Sequence, residues 1–194
     1  MTKTFFTAAL AATVLVPAAA QAQGIPGAVV AIADVDRVTA ECNACKTAIA
    51  ALRSQAQALQ AREKALADPL AAEQKSIQTA IDALAGKEPD AALEGRMRSW
   101  QTRQQQAAQE LQRSQQQLQR NQAYIQQQVA AKLGPIYQQV MQRRGANLLV
   151  DTNVTLAAAN TIDVTNDVLT ALNAALPTIA TTAPAQTQTT PQSR

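Results

Sequence analysis

Ten residues near the middle of the chain, Leu84-Ala85-Gly86-Lys87-Glu88-Pro89-Asp90-Ala91-Ala92-Leu93, separate two long runs of heptads. Upstream of this break, mostly apolar or small residues recur in alternating steps of four and three from Val38 to Leu84. A similar but more polar seam runs downstream from Leu93 to Ile125. Because glycine and proline interrupt helices, the pattern predicts two long helices joined by a tip near 86–90.

The two runs also mirror each other about the break. When the chain is folded there, facing positions have residue numbers that sum to 177: Leu84 with Leu93, Ile77 with Trp100, Leu66 with Leu111, Leu59 with Leu118. Toward the base the sum becomes 178: Ile49 with Val129, Cys45 with Leu133, Cys42 with Ile136, Val38 with Val140. An antiparallel coiled coil needs such matching, because each knob fills a hole in the facing helix. We therefore predict a helical hairpin over 38–144, kinked at Pro69 and Pro135.

Residues 1–22 have the composition of a secretory signal peptide. Lys3 gives a positive start, Phe5 to Val16 an apolar stretch, and Ala20-Gln21-Ala22 a small-residue cleavage site. The apolar stretch is shorter than the ~20 residues that cross a bilayer. The sequence predicts export to the periplasm of a Gram-negative host, with cleavage after Ala22.

The composition argues against most enzyme classes. The chain has no histidine and only two cysteines, so histidine-based catalysis and the usual metal sites lack their residues. It also has no glycine-rich phosphate loop. We expect no enzymatic activity, no cofactor and no metal.

Positive charge is concentrated on the second arm. Residues 38–86 carry five basic and five acidic residues, whereas residues 87–144 carry nine basic and four acidic ones. Such a surface attracts acidic partners, although an ordinary solvated helix face is the alternative. Nucleic acid is not expected, since no aromatic residues alternate with the basic ones. The candidate client-binding residues are Lys87, Arg96, Arg98, Arg103, Arg113 and Arg120.

Half of residues 101–128 are glutamine. Glutamine is a good helix former, and Leu111, Leu118 and Ile125 keep their heptad phase through the run. The simplest interpretation is a solvated face of the second helix.

Two short strand-like runs flank the hairpin. Residues 23–37 are predicted to hold the first strand of a small β-body, and residues 145–176 further strands and a C-terminal helix. Gly145 is expected to end the second arm, a third strand to run from Val154 to Ala158, and Thr165 to cap the last helix. Residues 177–194 lack apolar periodicity and are expected to be disordered. The residues expected in the body are Val30, Ile32, Leu148, Leu149 and Val150.

So small a base cannot cover its own sheet edges, which predicts a homo-oligomer. Taken in order, the flanking segments resemble the OmpH/Skp family of periplasmic chaperones. The resemblance rests on the runs at 31–38, 148–153 and 160–169 together with the hairpin. It implies an α+β fold, in which a long antiparallel coiled-coil hairpin (tentacle) projects from a small β-body assembled by homotrimerisation.

The same resemblance implies an ATP-independent holdase. Its clients would be unfolded outer-membrane proteins, and the basic arm could also meet lipopolysaccharide or an anionic membrane surface. The alternatives are a structural coiled-coil adaptor of an envelope complex and a thiol-disulfide protein. The last follows from Cys42-Asn43-Ala44-Cys45, in which the cysteines are either structural (reduced or bridged), bridged between protomers, or redox-active.

Overall fold

The computed structural model describes residues 27–185. Its elements are a strand β1 (Val30–Ala33), helices α1 (Val35–Glu41), α2 (Asn43–Ala83) and α3 (Ala91–Arg144), a strand β2 (Leu148–Asp151) and a helix α4 (Thr165–Ala175). The predicted hairpin is formed by α2, of 41 residues, and α3, of 54 residues. The predicted signal peptide lies outside the described residues.

The ends of α3 follow from local chemistry. The side chain of Asp90 accepts a hydrogen bond from the N–H of Leu93 at 2.8 Å and so caps the first turn. At the other end, Gly145 adopts a left-handed conformation with φ of 68°, which confirms its predicted role. Pro69 and Pro135 both lie inside helices that continue past them.

The first arm differs from the prediction of one helix beginning at Val38. A short helix, α1, begins three residues earlier, where Asp34 caps the N–H of Arg37 at 2.7 Å. The chain then leaves helical geometry at Cys42, whose ψ is 129°. The sulfur of Cys42 accepts a hydrogen bond from the N–H of Cys45 and caps α2. The break is thus stabilised by a side chain that the heptad pattern treats only as a seam residue.

Near the base, the hairpin agrees with the predicted pairing. The residues expected to face each other pack in one buried cluster that includes Val38, Cys42, Cys45, Leu133, Ile136 and Val140. Farther from the base, the side-chain nitrogen of Asn121 donates a hydrogen bond to the side-chain oxygen of Gln55 at 2.8 Å. Their numbers sum to 176, one less than predicted.

The outer half of the hairpin has a different register. The indole of Trp100 donates a hydrogen bond to the carbonyl of Leu70 at 2.9 Å, a pair whose numbers sum to 170. Had Trp100 faced Ile77 as predicted, Leu70 would lie seven residues or about 10 Å away along the helix, beyond the reach of an indole. The predicted pairing is therefore wrong here. A slip of one heptad still sets seam against seam, so periodicity alone does not exclude it.

The sheet has two parallel strands, with Val30 opposite Leu148 and Ile32 opposite Val150. On its other side, β1 accepts a hydrogen bond from the N–H of Val164 through the carbonyl of Ile32. The predicted third strand at 154–158 is wrong. The carboxylate of Asp151 accepts from the N–H of Asn153 at 2.8 Å, which turns the chain into a 3-10 helix (Thr152–Val154) and away from the sheet.

Helix α4 closes the base by burying Val168 and Leu172 against the hairpin. The predicted cap by Thr165 is wrong, because Thr165 is the first residue of the helix. Its hydroxyl instead accepts a hydrogen bond from the N–H of Asp34 at 2.9 Å and ties α4 to the start of α1.

The segment after α4 was expected to be disordered, and for residues 177–185 this is wrong. Leu176 is buried, and Ile179 packs against the base cluster. Backbone groups of Ala180, Thr181 and Ala183 are hydrogen-bonded to side chains of both arms. Residues 186–194 lie outside the described residues. We call the docked segment, residues 177–185, the strap.

Candidate functional site: the hairpin and its base

Three of the predicted client-binding cations are engaged within the protein. Arg96 bonds to Glu73 at 3.0 Å and to the hydroxyl of Ser76 at 2.9 Å, both on the facing arm. Arg98 pairs with Glu94 at 3.5 Å. Arg120 is partly buried and donates to Gln117. Arg96 thus links the two arms, whereas Arg98 and Arg120 bond within α3, and in each case less of the side chain is free to contact a partner.

The other three predicted cations are exposed, and the salt bridges found within residues 27–185 do not involve them. Lys87 lies in the tip loop, and Arg103 and Arg113 lie on the outer half of α3. Nearby, Arg62 binds Glu110 across the arms at 2.5 Å. This bond lowers the pKa of the Glu110 carboxyl and raises that of Arg62. Lys87, Arg103 and Arg113 therefore remain accessible to an acidic partner.

An open apolar groove of about 520 Å³ runs between the arms near the base. Ile49 and Leu52 of α2 face Ile125 and Val129 of α3 across it. Ile49 is exposed although it belongs to the heptad seam. The groove could therefore accept an apolar side chain from another polypeptide.

A group of side-chain amides between the arms escaped the sequence analysis. Gln55, Asn121 and Gln128, which we call the amide cluster, bond to the backbone of the strap. Asn121 is only 4 % exposed and lies in heptad phase between Leu118 and Ile125. Periodicity gave no signal for this site, since the strap that it binds lies more than 50 residues farther along the chain.

The residues predicted for the oligomer body lie together in the sheet, but with different exposure. Ile32 is buried within the protomer, while Leu149 and Val150 are partly buried. Leu148 is 46 % exposed, and Val30 is also exposed. Among the described residues, the outer edge of β2 has no strand partner. Val154 and Leu156, in the segment that follows β2, add further exposed apolar surface.

Cys42 and Cys45 form a disulfide within the protomer. Their residues are 0 % and 4 % exposed, and they belong to the base cluster. A thiolate attacking this bond would have little access to either sulfur, which favours the structural interpretation over disulfide exchange. It also leaves no thiol for a bridge between protomers while the bond is closed.

Other classes of site find little support in this part of the chain. Within residues 27–185 we find no group of histidine, cysteine, aspartate and glutamate side chains arranged to hold a metal ion. None of the helices there is both long and apolar enough to cross a membrane.

The fold and site define a class of protein with a long helical hairpin on a small α+β base. Comparison with protein families agrees with this class: the family described as outer membrane protein (OmpH-like) matches residues 29–172. The chain belongs to the OmpH-like family. The resemblance drawn from the sequence is thereby confirmed.

Among solved structures, the fold is similar to that of an OmpH-like protein from Caulobacter crescentus, whose role as an outer membrane chaperone is itself only proposed. The two chains are 22 % identical, with a TM-score of 0.69, and the match covers 85 % of this chain and 95 % of the other. The comparison with curated proteins found no match.

Proposed function

We propose that the mature protein is an ATP-independent periplasmic holdase. It binds unfolded outer-membrane proteins and prevents their aggregation before membrane insertion. The observation that carries this proposal is the hairpin of an OmpH-like chain, because two arms of 41 and 54 residues offer a long surface without an enclosed active site in the described part. Membership of the family and the likeness to the Caulobacter protein support a chaperone role.

Client binding would begin with electrostatic attraction to the exposed cations of the hairpin. The exposed side chains of Lys87, Arg103 and Arg113 would attract acidic segments of an unfolded chain. Apolar client side chains would then enter the groove between Ile49 and Val129. Many weak contacts of this kind keep a client from aggregating and still let it leave without energy input.

We further propose that the protein acts as a homotrimer assembled through its base. Leu148 and the free edge of β2 are surfaces that a second protomer would cover. Three hairpins around one client would multiply weak contacts. The same exposed cations would allow contact with lipopolysaccharide or an anionic membrane surface, and the leader would be removed after Ala22.

The direct test is an aggregation assay. A urea-unfolded outer-membrane barrel protein is diluted into buffer with or without the purified mature protein, and light scattering is followed. We expect scattering to fall as the protein is added, with no effect of ATP and none of an equal mass of serum albumin. Unchanged scattering at a several-fold molar excess would refute the holdase proposal.

A further inference from the structure

The strap is bound in a manner that suits an extended polypeptide. Between α4 and its end it has neither helical nor strand hydrogen bonding of its own. The side-chain amide of Gln128 both accepts from the N–H of Ala180 at 3.0 Å and donates to its carbonyl at 2.8 Å. A neighbouring β-strand would offer the same donor and acceptor to one residue. Gln128 therefore acts as a short substitute for a strand.

Two further amides continue this pattern. Asn121 accepts from the N–H of Ala183 at 2.9 Å, and Gln55 donates to the carbonyl of Thr181 at 3.2 Å. Asn121 is itself oriented by hydrogen bonds to Gln55 at 2.8 Å and from Gln117 at 2.7 Å. Because Gln55 and Gln117 bond to the Asn121 side chain independently of the strap, they orient its oxygen toward a backbone partner.

The amide cluster forms hydrogen bonds with the backbone of the strap and not with its side chains. Each of the four bonds ends on a main-chain N–H or C=O, which nearly every residue type supplies. Ile179 is the one strap side chain that packs against the base cluster. The residues that follow it are small: Ala180, Thr181, Thr182 and Ala183. The site thus suits an extended segment with one apolar residue followed by small ones.

We propose that the amide cluster is a binding site for extended segments of unfolded polypeptide, and that the strap occupies it until a client displaces it. The tether gives the strap a high effective concentration, so only segments that bind well or are held nearby will replace it. This site is separate from the basic outer arm. It rests on the proposed function only for the claim that its physiological ligands are unfolded outer-membrane proteins.

The test uses the full mature chain and a fluorescein-labelled peptide with the sequence of residues 176–185, followed by fluorescence anisotropy. Two variants open the strap independently: Ile179→Asp places a charge against the base cluster, and Ala180→Pro removes the N–H that bonds to Gln128. We expect both to bind the peptide at least about tenfold more tightly than the wild type, whose site is occupied.

Substitutions at two glutamines, one in the site and one beside it, then test where the peptide binds. Added to either opened variant, Gln128→Ala should weaken peptide binding by roughly tenfold because two hydrogen bonds are lost. The exposed neighbour Gln127, changed to Ala, should leave binding unchanged. Circular dichroism checks that each variant keeps its helices, and if Ile179→Asp does not, Ala180→Pro decides the outcome.

Equal peptide affinity of the wild type and the folded opened variants would overturn the proposal, as would equal effects of Gln128→Ala and Gln127→Ala. The aggregation assay is independent of this result. If the opened variants bind the peptide but the protein does not suppress aggregation, the binding site is supported and the holdase proposal is rejected.

Discussion

At the scale of single residues, polar side chains of the base bond to groups close by in sequence. Asp163 illustrates this, since its carboxylate accepts from the N–H of Thr165 at 2.8 Å at the start of α4. Hydrogen bonds from the Thr165 side chain and backbone lower the pKa of Asp163 below its ordinary value. The ionised carboxylate is therefore favoured by folding.

This lowered pKa predicts an acid-dependent loss of stability. A group with a depressed pKa contributes above its unfolded pKa, about 3.9 for aspartate, and the contribution is lost as pH falls through the folded value. We expect Asp163→Asn to be less stable than the wild type at pH 7 and the difference to shrink below about pH 4. Melting temperatures measured from pH 7 to pH 2 check this, and a constant difference would contradict it.

At the scale of elements, the register of the outer hairpin is carried by specific cross-arm contacts. Arg62 and Glu110 meet in the observed register, with numbers that sum to 172. In the register expected from the heptads they would lie five residues apart along the arms. Their interaction is therefore a probe of register in solution.

A charge swap tests this register. Arg62→Glu and Glu110→Arg should each lower the melting temperature, and the double variant should recover most of the loss because the pair is re-formed. Arg53, an exposed cation of the same helix, provides the control: Arg53→Glu should show no coupling to Glu110→Arg. Independent effects of Arg62→Glu and Glu110→Arg would reject the outer register described here.

The end of α3 gives a second prediction at this scale. Gly145 has φ of 68°, where a side chain is strained, so Gly145→Ala should lower the free energy of unfolding by about 1 kcal/mol. Gly95 lies inside α3, and a Cβ placed there meets no atom within 4 Å. Gly95→Ala should raise the free energy of unfolding by roughly 0.5–1 kcal/mol. Denaturant titration measures both free energies of unfolding. If both substitutions changed the free energy of unfolding in the same direction, the left-handed helix end at Gly145 would be contradicted.

At the scale of the whole molecule, assembly is expected to cover the free edge of β2. Leu148 is exposed in the protomer, so Leu148→Asp should leave the protomer folded while placing an unpaired charge in the interface. Sedimentation should show trimers for the wild type and dissociated protomers of normal helicity for the variant. Ala108→Asp on the exposed arm is the control and should remain trimeric. A trimer unaffected by Leu148→Asp would exclude this edge from the interface.

Client capture should depend on the exposed cations of the second arm and on salt. Exposed charges interact over a Debye length that shortens from ~10 Å at 0.1 M to ~3 Å at 1 M salt. Reversing Lys87, Arg103 and Arg113 to glutamate should slow capture of an acidic unfolded client and weaken its salt dependence. Reversing Lys46, Arg53 and Lys75 of the first arm changes net charge equally and should have a smaller effect. Stopped-flow fluorescence measures both, and equal effects would mean that net charge alone governs capture.

Local and periodic features could be predicted from the sequence alone. The hairpin, its tip and the end at Gly145 follow from heptad spacing and from the conformational limits of proline and glycine, which act over a few residues. The packing of the base arms followed too, since the residues predicted to face each other, such as Ile136 and Val140, lie in one buried cluster.

The outer register and the docked strap were decided only by the tertiary structure. Because the outer seam repeats at heptad spacing on both arms, more than one register sets seam against seam, and distant contacts such as Trp100 with Leu70 select one of them. The same limit applies to the amide cluster. A glutamine has the same helix propensity whether its amide faces water or binds a backbone, so only the folded chain distinguishes Gln128 from its exposed neighbour Gln127.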